Sequence, residues 1–299
     1  MLVIKRLAWV TARGARGLDD DEPIALAALA RTGASVDVVD WDDPDARWSG
    51  YDRVVLRSTW DYPQRLPEFF DWAGQVSAQT KLLNPLSVVK WSSDKHYLRE
   101  LVRAEVPTVL TKFIEPGESA PWRIAELLGE PNVGEFVVKP AIGAGSRDAQ
   151  RFGVEEKDAA AEHAQRMLSE KRSVMLQPYL SRVDEYGETA LIYFEGQFSH
   201  AIRKGPLLKR REGPTQDLFA KETITARVPD AAELRVGARA MQALPFETPL
   251  YARVDLIRDE KGEPVVLELE LIEPSLFFPF AGGSADRFAA AVLRKRERK

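Results

Sequence analysis

Cysteine is missing from the 299 residues, which excludes disulfides, thiolate metal sites and a cysteine nucleophile and fits a reducing cytoplasm. Histidine is scarce: His96, His163 and His200 are the only three, too few for a histidine-rich zinc centre. No apolar run approaches the roughly 20 residues that cross a bilayer. The opening MLVIKRLAWV is broken by Lys5 and Arg6 before it reaches signal-peptide length. A net charge of -4 gives no general pull toward nucleic acid or acidic membranes, and the basic tail 294–299 reads as a solvated terminus. These absences leave a cytoplasmic protein with no nucleic-acid or membrane partner. Its 44% hydrophobic and 29% charged residues suffice for two or three packed subdomains.

What is present is charge in unusual places. The segment VVLELELIEP (265–274) alternates like a strand, yet carries Glu268 and Glu270 two residues apart, hence on one face. Upstream, YARVDLI (251–257) places Arg253 and Asp255 on one face by the same rule, and EKGEP (260–264) supplies a turn between them. The two runs predict a hairpin on which Asp255, Glu268 and Glu270 converge. Like charges so placed need a cation or water. Oxygen-only ligands suit Mg²⁺ or Mn²⁺, and Mg²⁺ is commonly shared between carboxylates and nucleotide phosphates. A plain amphipathic surface strand is the alternative.

Further N-terminal, LAWVTA, DEPIALAALARTG, SVDVVDW and YDRVVLRSTW alternate strand and helix patterns and predict a small parallel α/β unit over residues 1–88. Loops at the C-terminal ends of such strands bind ligands. RSTWDY is therefore a candidate substrate loop: Arg57 for a carboxylate, Ser58, Thr59 and Asp61 beside it, Trp60 and Tyr62 as walls. The alternative is that the aromatics cap the core and Arg57 makes a structural ion pair. ARGARG (12–17) lacks the GxGxxG spacing of a dinucleotide site.

In the middle of the chain, Ser93 or Asp94 can cap a helix carrying Lys95. EFVVKPAIGAGSRDAQRF (135–152) reads as a strand ending in Lys139, a loop of Gly143, Ala144, Gly145 and Ser146, and a second strand. Glycines let backbone N–H groups approach an anion, and the lysine adds a point charge, although no Walker motif follows. After a predicted helix at 159–170, VMLQPYLS (174–181) reads as a strand running into a linker, because Pro178 lacks a backbone donor.

In this order and spacing the segments resemble the ATP-grasp superfamily, the fold of D-alanine:D-alanine ligase and glutathione synthetase. The resemblance covers nearly all of the chain. It implies an α/β (α+β) protein with an N-terminal parallel α/β substrate subdomain (1–88), a small central lid subdomain (89–175) and a C-terminal antiparallel-sheet subdomain bearing the metal site (176–299). It implies ATP as cofactor, with Lys95 and Lys139 on its phosphates and 143–146 as the mobile glycine-rich loop. Gln177, Pro178, Tyr179 and Leu180 would hold adenine, and Asp184, Glu185 or Glu188 the ribose. Arg253 resembles the arginine that steadies the transferring phosphoryl group. Asp255, Glu268 and Glu270 resemble the ligands of two Mg²⁺ ions, with Glu-x-Glu standing where many members have Glu-x-Asn and so adding a negative charge.

The implied chemistry is activation of a carboxylate as an acyl phosphate, followed by attack of a nitrogen. Arg253, Lys204 and Ser146 are the expected catalytic residues, and Lys204 and Lys221 candidate contacts to the γ-phosphate or substrate. RSTWDY, YFEGQFSHAIRKGP, YARVDLI and LELELIEPSLFF resemble a branch containing the O-ureido-serine cyclo-ligase of D-cycloserine biosynthesis. That resemblance implies a small amino-acid substrate, and His200 and Glu273 are candidates to orient its amino and ureido ends. An intermolecular amino-acid ligase and a non-catalytic nucleotide-binding protein stay open, as does a homodimer.

Overall fold

The computed structural model describes residues 6–210, 213 and 223–294, arranged around three sheets. The first contains β1 (Arg6–Thr11), β2 (Ser35–Asp40), β3 (Arg53–Leu56) and β4 (Lys81–Leu83), all parallel in the order β2-β1-β3-β4. A parallel sheet is covered on both faces, which is why its strands read as apolar runs. Helix α1 (Glu22–Arg31) shares a core with Leu7 and Trp9, and α2 (Leu66–Gln79) shares one with Ala8 and Val10, the alternate residues of β1. Two short helices follow, α3 (Leu86–Ser92) and α4 (Tyr97–Arg103). Lys95, expected within a capped helix, lies in the break between them. Its N–H donates to the Ala141 carbonyl at 3.0 Å, a bond outside any helix that ties it to the Lys139 loop.

The central sheet is antiparallel, β5-β8-β6-β7, built from β5 (Lys112–Ile114), β6 (Glu135–Pro140), β7 (Gln150–Gly153) and β8 (Val174–Pro178). Helices α5 (Ala120–Leu128) and α6 (Lys157–Ser169) bury one face of it. Ser119 caps α5 by accepting the Trp122 N–H. β8 is an interior strand, and it tolerates Pro178 because that residue is its last. The Tyr179 N–H takes over the pairing by donating to the Glu135 carbonyl at 2.8 Å. The boundary expected at 175/176 thus falls inside β8.

The third sheet, also antiparallel, runs β11-β10-β9-β12-β13 through β9 (Glu188–Phe194), β10 (Gln197–Lys204), β11 (Ile224–Arg227), β12 (Tyr251–Arg258) and β13 (Pro264–Glu270). A single turn, α7 (Val183–Tyr186), precedes β9. Helix α8 (Ala231–Gln242) opens with a reciprocal box in which Asp230 accepts two N–H groups and Glu233 returns to the Asp230 N–H. Helix α9 (Ser284–Leu293) joins the first and third sheets, its Phe288 edge-on to Trp9 at 6.1 Å. Among the described residues no helix is long and apolar enough to cross a membrane.

Candidate active site

Strands of the second and third sheets and loops of the first enclose a cavity of about 640 Å³, within the roughly 300–1,000 Å³ of small-molecule sites. The β12–β13 hairpin builds one wall. Its register sets Arg253 opposite Glu270 and Asp255 opposite Glu268, with an irregularity just after Asp255. β9 and β10 set Glu188 opposite Lys204. Gly187 permits this approach: it has φ +71, and a Cβ there would lie 2.3 Å from the Lys204 carbonyl oxygen.

Charges on this wall are interlocked. Arg253 donates to both Asp255 oxygens at 2.9 Å, to Glu270, and to the Ser275 carbonyl at 3.2 Å. Lys204 reaches Asp255 at 2.8 Å and Glu188 at 2.7 Å. Lys95 donates to the Gly143 carbonyl at 3.0 Å and pairs with Glu268 at 2.9 Å. Burial opposes ionisation of Asp255, but Arg253 and Lys204 prevail and hold its carboxyl down at about 2. Burial likewise opposes charge on Glu268, which Lys95 and Lys139 nevertheless keep below the usual carboxylate range. Glu270 goes the other way: burial pushes it up to about 7 against the attraction of Arg253. Lys139 has no carboxylate within ion-pair distance among the described residues, and burial lowers its ammonium pKa, with Lys95 and Lys204 repelling it.

The loop 143–146 lies on the cavity, with Gly145 and Ser146 at φ +64 and +59. Asp148, just beyond, is anchored by Arg166 at 2.9 Å and Arg172 at 2.8 Å. Gln177, Pro178, Tyr179 and Leu180 line the far end. There Arg151 stacks over the Tyr179 ring at 3.4 Å, and Gln177 donates to Thr111 at 2.9 Å. Of the three acids expected at the ribose, Glu188 lines the cavity; Asp184 instead accepts the Tyr179 hydroxyl, and Glu185 lies off the cavity wall.

The RSTWDY loop splits. Trp60 and Tyr62 line the cavity, as does Glu273, whose carbonyl accepts the Trp60 indole N–H at 3.2 Å. Arg57 does not. It is 1% exposed, donates to the Pro274 carbonyl at 2.8 Å, and lies over the Trp9 and Tyr251 rings at 5.4 Å each. Burial makes it a clamp between sheets, out of a substrate's reach. Ser58 shares a 2.7 Å hydrogen bond with Thr11, Thr59 is fully buried, and Asp61 accepts the Trp41 indole N–H, so none of the three lines the cavity. His200 also turns away, its Nε2 donating to the Leu276 carbonyl at 2.8 Å. Lys221 lies outside the described residues.

Residues the sequence did not single out complete the walls: Asp19, Asp21, Ser275 and Phe277. The acidic run DDDE after β1 was the one visible signal of Asp19 and Asp21. Among the described residues no three acidic or histidine side chains already form a metal cage. The all-oxygen set of Asp255, Glu268 and Glu270 nonetheless fits Mg²⁺, and at Glu270, whose pKa burial raises despite its Arg253 partner, further positive charge can be accommodated.

Comparison with known proteins agrees with this geometry. Residues 7–84 match the family described as D-cycloserine synthetase DcsG, N-terminal domain. The cycloserine biosynthesis protein DcsG of Streptomyces lavendulae is 38% identical over 295 residues, 97% of this chain and 98% of the relative. A crystal structure of D-cycloserine synthetase DcsG superposes with a TM-score of 0.89 at 38% identity, covering 96% of this chain and 98% of that one. D-alanine–D-alanine ligase from Bacillus anthracis, complexed with ATP, shares the fold at a TM-score of 0.65 and 15% identity, over 96% of this chain and 94% of that one. Identity that runs almost end to end places this ATP-dependent carbon–nitrogen ligase: the chain belongs to the D-cycloserine synthetase DcsG family, within the ATP-grasp fold.

Proposed function

We propose that the protein uses ATP to activate the carboxylate of O-ureido-D-serine as an acyl phosphate, and that the substrate's own ureido nitrogen attacks it to close the five-membered ring of D-cycloserine. ADP and phosphate leave, and hydrolysis removes the carbamoyl group. The observation that carries the nucleotide half is Lys139, a half-buried ammonium on a cavity also lined by Lys95, Lys204 and Arg253, with no carboxylate in ion-pair range among the described residues. Such an array calls for a polyanion. End-to-end identity to DcsG supports the substrate.

In this reading Lys95 and Lys139 bind the phosphates under the backbone of 143–146, and Ser146 caps the γ-phosphate. Residues 177–180 hold adenine. Glu188 takes the ribose, supported by its place on the cavity wall. Asp255, Glu268 and Glu270 would hold Mg²⁺, two ions in all, whose charge offsets that of the phosphates. Arg253 and Lys204 steady the transferring phosphoryl group, for phosphoryl transfer needs positioning and charge neutralisation more than covalent help. Trp60 and Tyr62 confine the substrate and exclude water. Tethering can raise effective concentration to roughly 10⁵ M or more, so no external amine is required. The test is O-ureido-D-serine alone with ATP and Mg²⁺: ADP, phosphate and a cyclised product lighter than the substrate are expected. ADP only after an amine is added, with a product equal to two substrates less water, would replace this reading with an intermolecular ligase.

A further inference from the structure

We propose that Asp19 is the subsite for the α-ammonium group of the amino-acid substrate, an inference that rests on the function proposed above. Asp19 sits between β1 and α1, at the C-terminal end of a parallel strand, where open α/β sheets bind ligands. It lines the cavity while only 6% exposed. Its Oδ1 accepts the Asp21 N–H at 3.1 Å, and its buried Oδ2 has no hydrogen-bond partner. A carboxylate left in that state is costly unless a cation completes it. Burial accordingly pushes it up to about 6, against the attraction of Arg57 and with Asp21 and Glu22 adding repulsion.

Asp21 and His200, its neighbours, are already committed. Asp21 spends its carboxylate on the N–H groups of Leu276, Phe277 and Phe278, at 2.5, 3.0 and 2.7 Å. Arg57 donates to the Pro274 carbonyl through Nη2 and lies 3.8 Å from Asp21, its Nε and Nη1 having no hydrogen-bond partner, and its ion pair is with Asp21, not Asp19; His200 is engaged with the Leu276 carbonyl. The Asp21 clamp fixes Asp19 through its own N–H and also fixes the segment that brings Phe277 to the cavity. Asp19 is thus held rigidly with one oxygen unspent, the arrangement a preorganised cation site requires.

Calorimetric titration with a non-hydrolysable ATP analogue and Mg²⁺ present tests this, using O-ureido-D-serine and its des-amino counterpart 3-(ureidooxy)propanoate. The wild-type protein should prefer the amine by about 10- to 100-fold, the worth of a hydrogen bond to a charged group. Asp19→Asn should erase most of that ratio, while leaving the affinity for the des-amino ligand and the nucleotide unchanged. The thermal midpoint of the free variant at pH 8 should hold or rise, since a buried charge has been removed. An unchanged ratio in Asp19→Asn, with or without a lower midpoint, makes Asp19 a structural partner of Arg57 and overturns the proposal. Amine-selective binding in the titration, with no ADP released when the same substrate is then given with ATP itself, would remove the proposed function and leave the subsite standing; binding of neither ligand would remove both.

Discussion

The hairpin wall and the N-terminal wall of the cavity treat charge in opposite ways. On the hairpin, Asp255, Glu268 and Glu270 each touch a cation supplied by the protein. On the other wall, Asp19 and Glu273 line the cavity with no cation in ion-pair range among the described residues, and burial raises both carboxyls, Glu273 well above the usual range. On the function and subsite proposed above, the difference follows from what each wall would do. Groups that stabilise a transferring phosphoryl must be in place beforehand, so their charges are fixed by internal pairs. Groups that recognise a small substrate keep their valence open until it arrives.

The largest effect should come from breaking the paired wall. Glu268→Gln or Glu270→Gln should fold normally and lose a few decades of turnover, since a bound metal's charge stabilisation is worth several kcal/mol. Steady-state ADP release at limiting Mg²⁺ checks this, and near wild-type rates in both variants would contradict it. Arg253→Met should cost on the order of 10²–10³ in kcat, in line with loss of one preorganised donor.

Lys139→Gln sharpens the contrast, because Lys139 is the cation on the nucleotide side without a carboxylate partner. Its KM for ATP should rise by about tenfold or more, as expected when a charge-assisted hydrogen bond is lost. Its thermal midpoint should not fall, since burial disfavours the ammonium in the free protein. A lower midpoint with unchanged KM would make Lys139 structural.

A smaller effect is expected at the loop 143–146. Tryptic cleavage at Arg147, which lines the cavity, should slow when an ATP analogue and Mg²⁺ close the loop over the triphosphate. Identical digestion with and without nucleotide would remove the lid.

The smallest effect concerns His200. Burial holds its pKa below the ordinary histidine value, against the Leu276 carbonyl that favours the proton, while Arg287 disfavours it and Asp21 favours it. The unfolded chain therefore binds the proton more readily, and stability drains away as pH falls through about 6.5. His200→Gln should flatten that slope in acid denaturation while leaving substrate KM unchanged; a raised KM would return His200 to the substrate site.

These two walls also differ in how readable they were. Alternating Glu268 and Glu270 in an apolar strand, with Arg253 and Asp255 across a turn, declare themselves because strand periodicity is local. Lys139 at a strand end before a glycine loop is local too. Between the two readings of Arg57, substrate contact or structural ion pair, the sequence could not choose, because its Pro274 partner is 217 residues away; the structure has it buried 3.8 Å from Asp21. Its burial depends on Tyr251 of β12 and Pro274 meeting it at the first sheet, both far away in sequence. Lys95 escaped its expected helix for a similar reason, the long-range bond to Ala141. Asp19 gave no sequence sign beyond an acidic run, since what distinguishes it from Asp20 is depth.

The central claim, that the cavity joins a triphosphate to a substrate carboxylate, is tested most directly by isotope transfer. O-ureido-D-serine labelled with ¹⁸O in its carboxylate is turned over with ATP, and the inorganic phosphate is analysed by mass. An acyl phosphate expelled by nitrogen carries one carboxylate oxygen away with the phosphate, so the account predicts one ¹⁸O per phosphate released. Unlabelled phosphate alongside labelled cyclised product would contradict it.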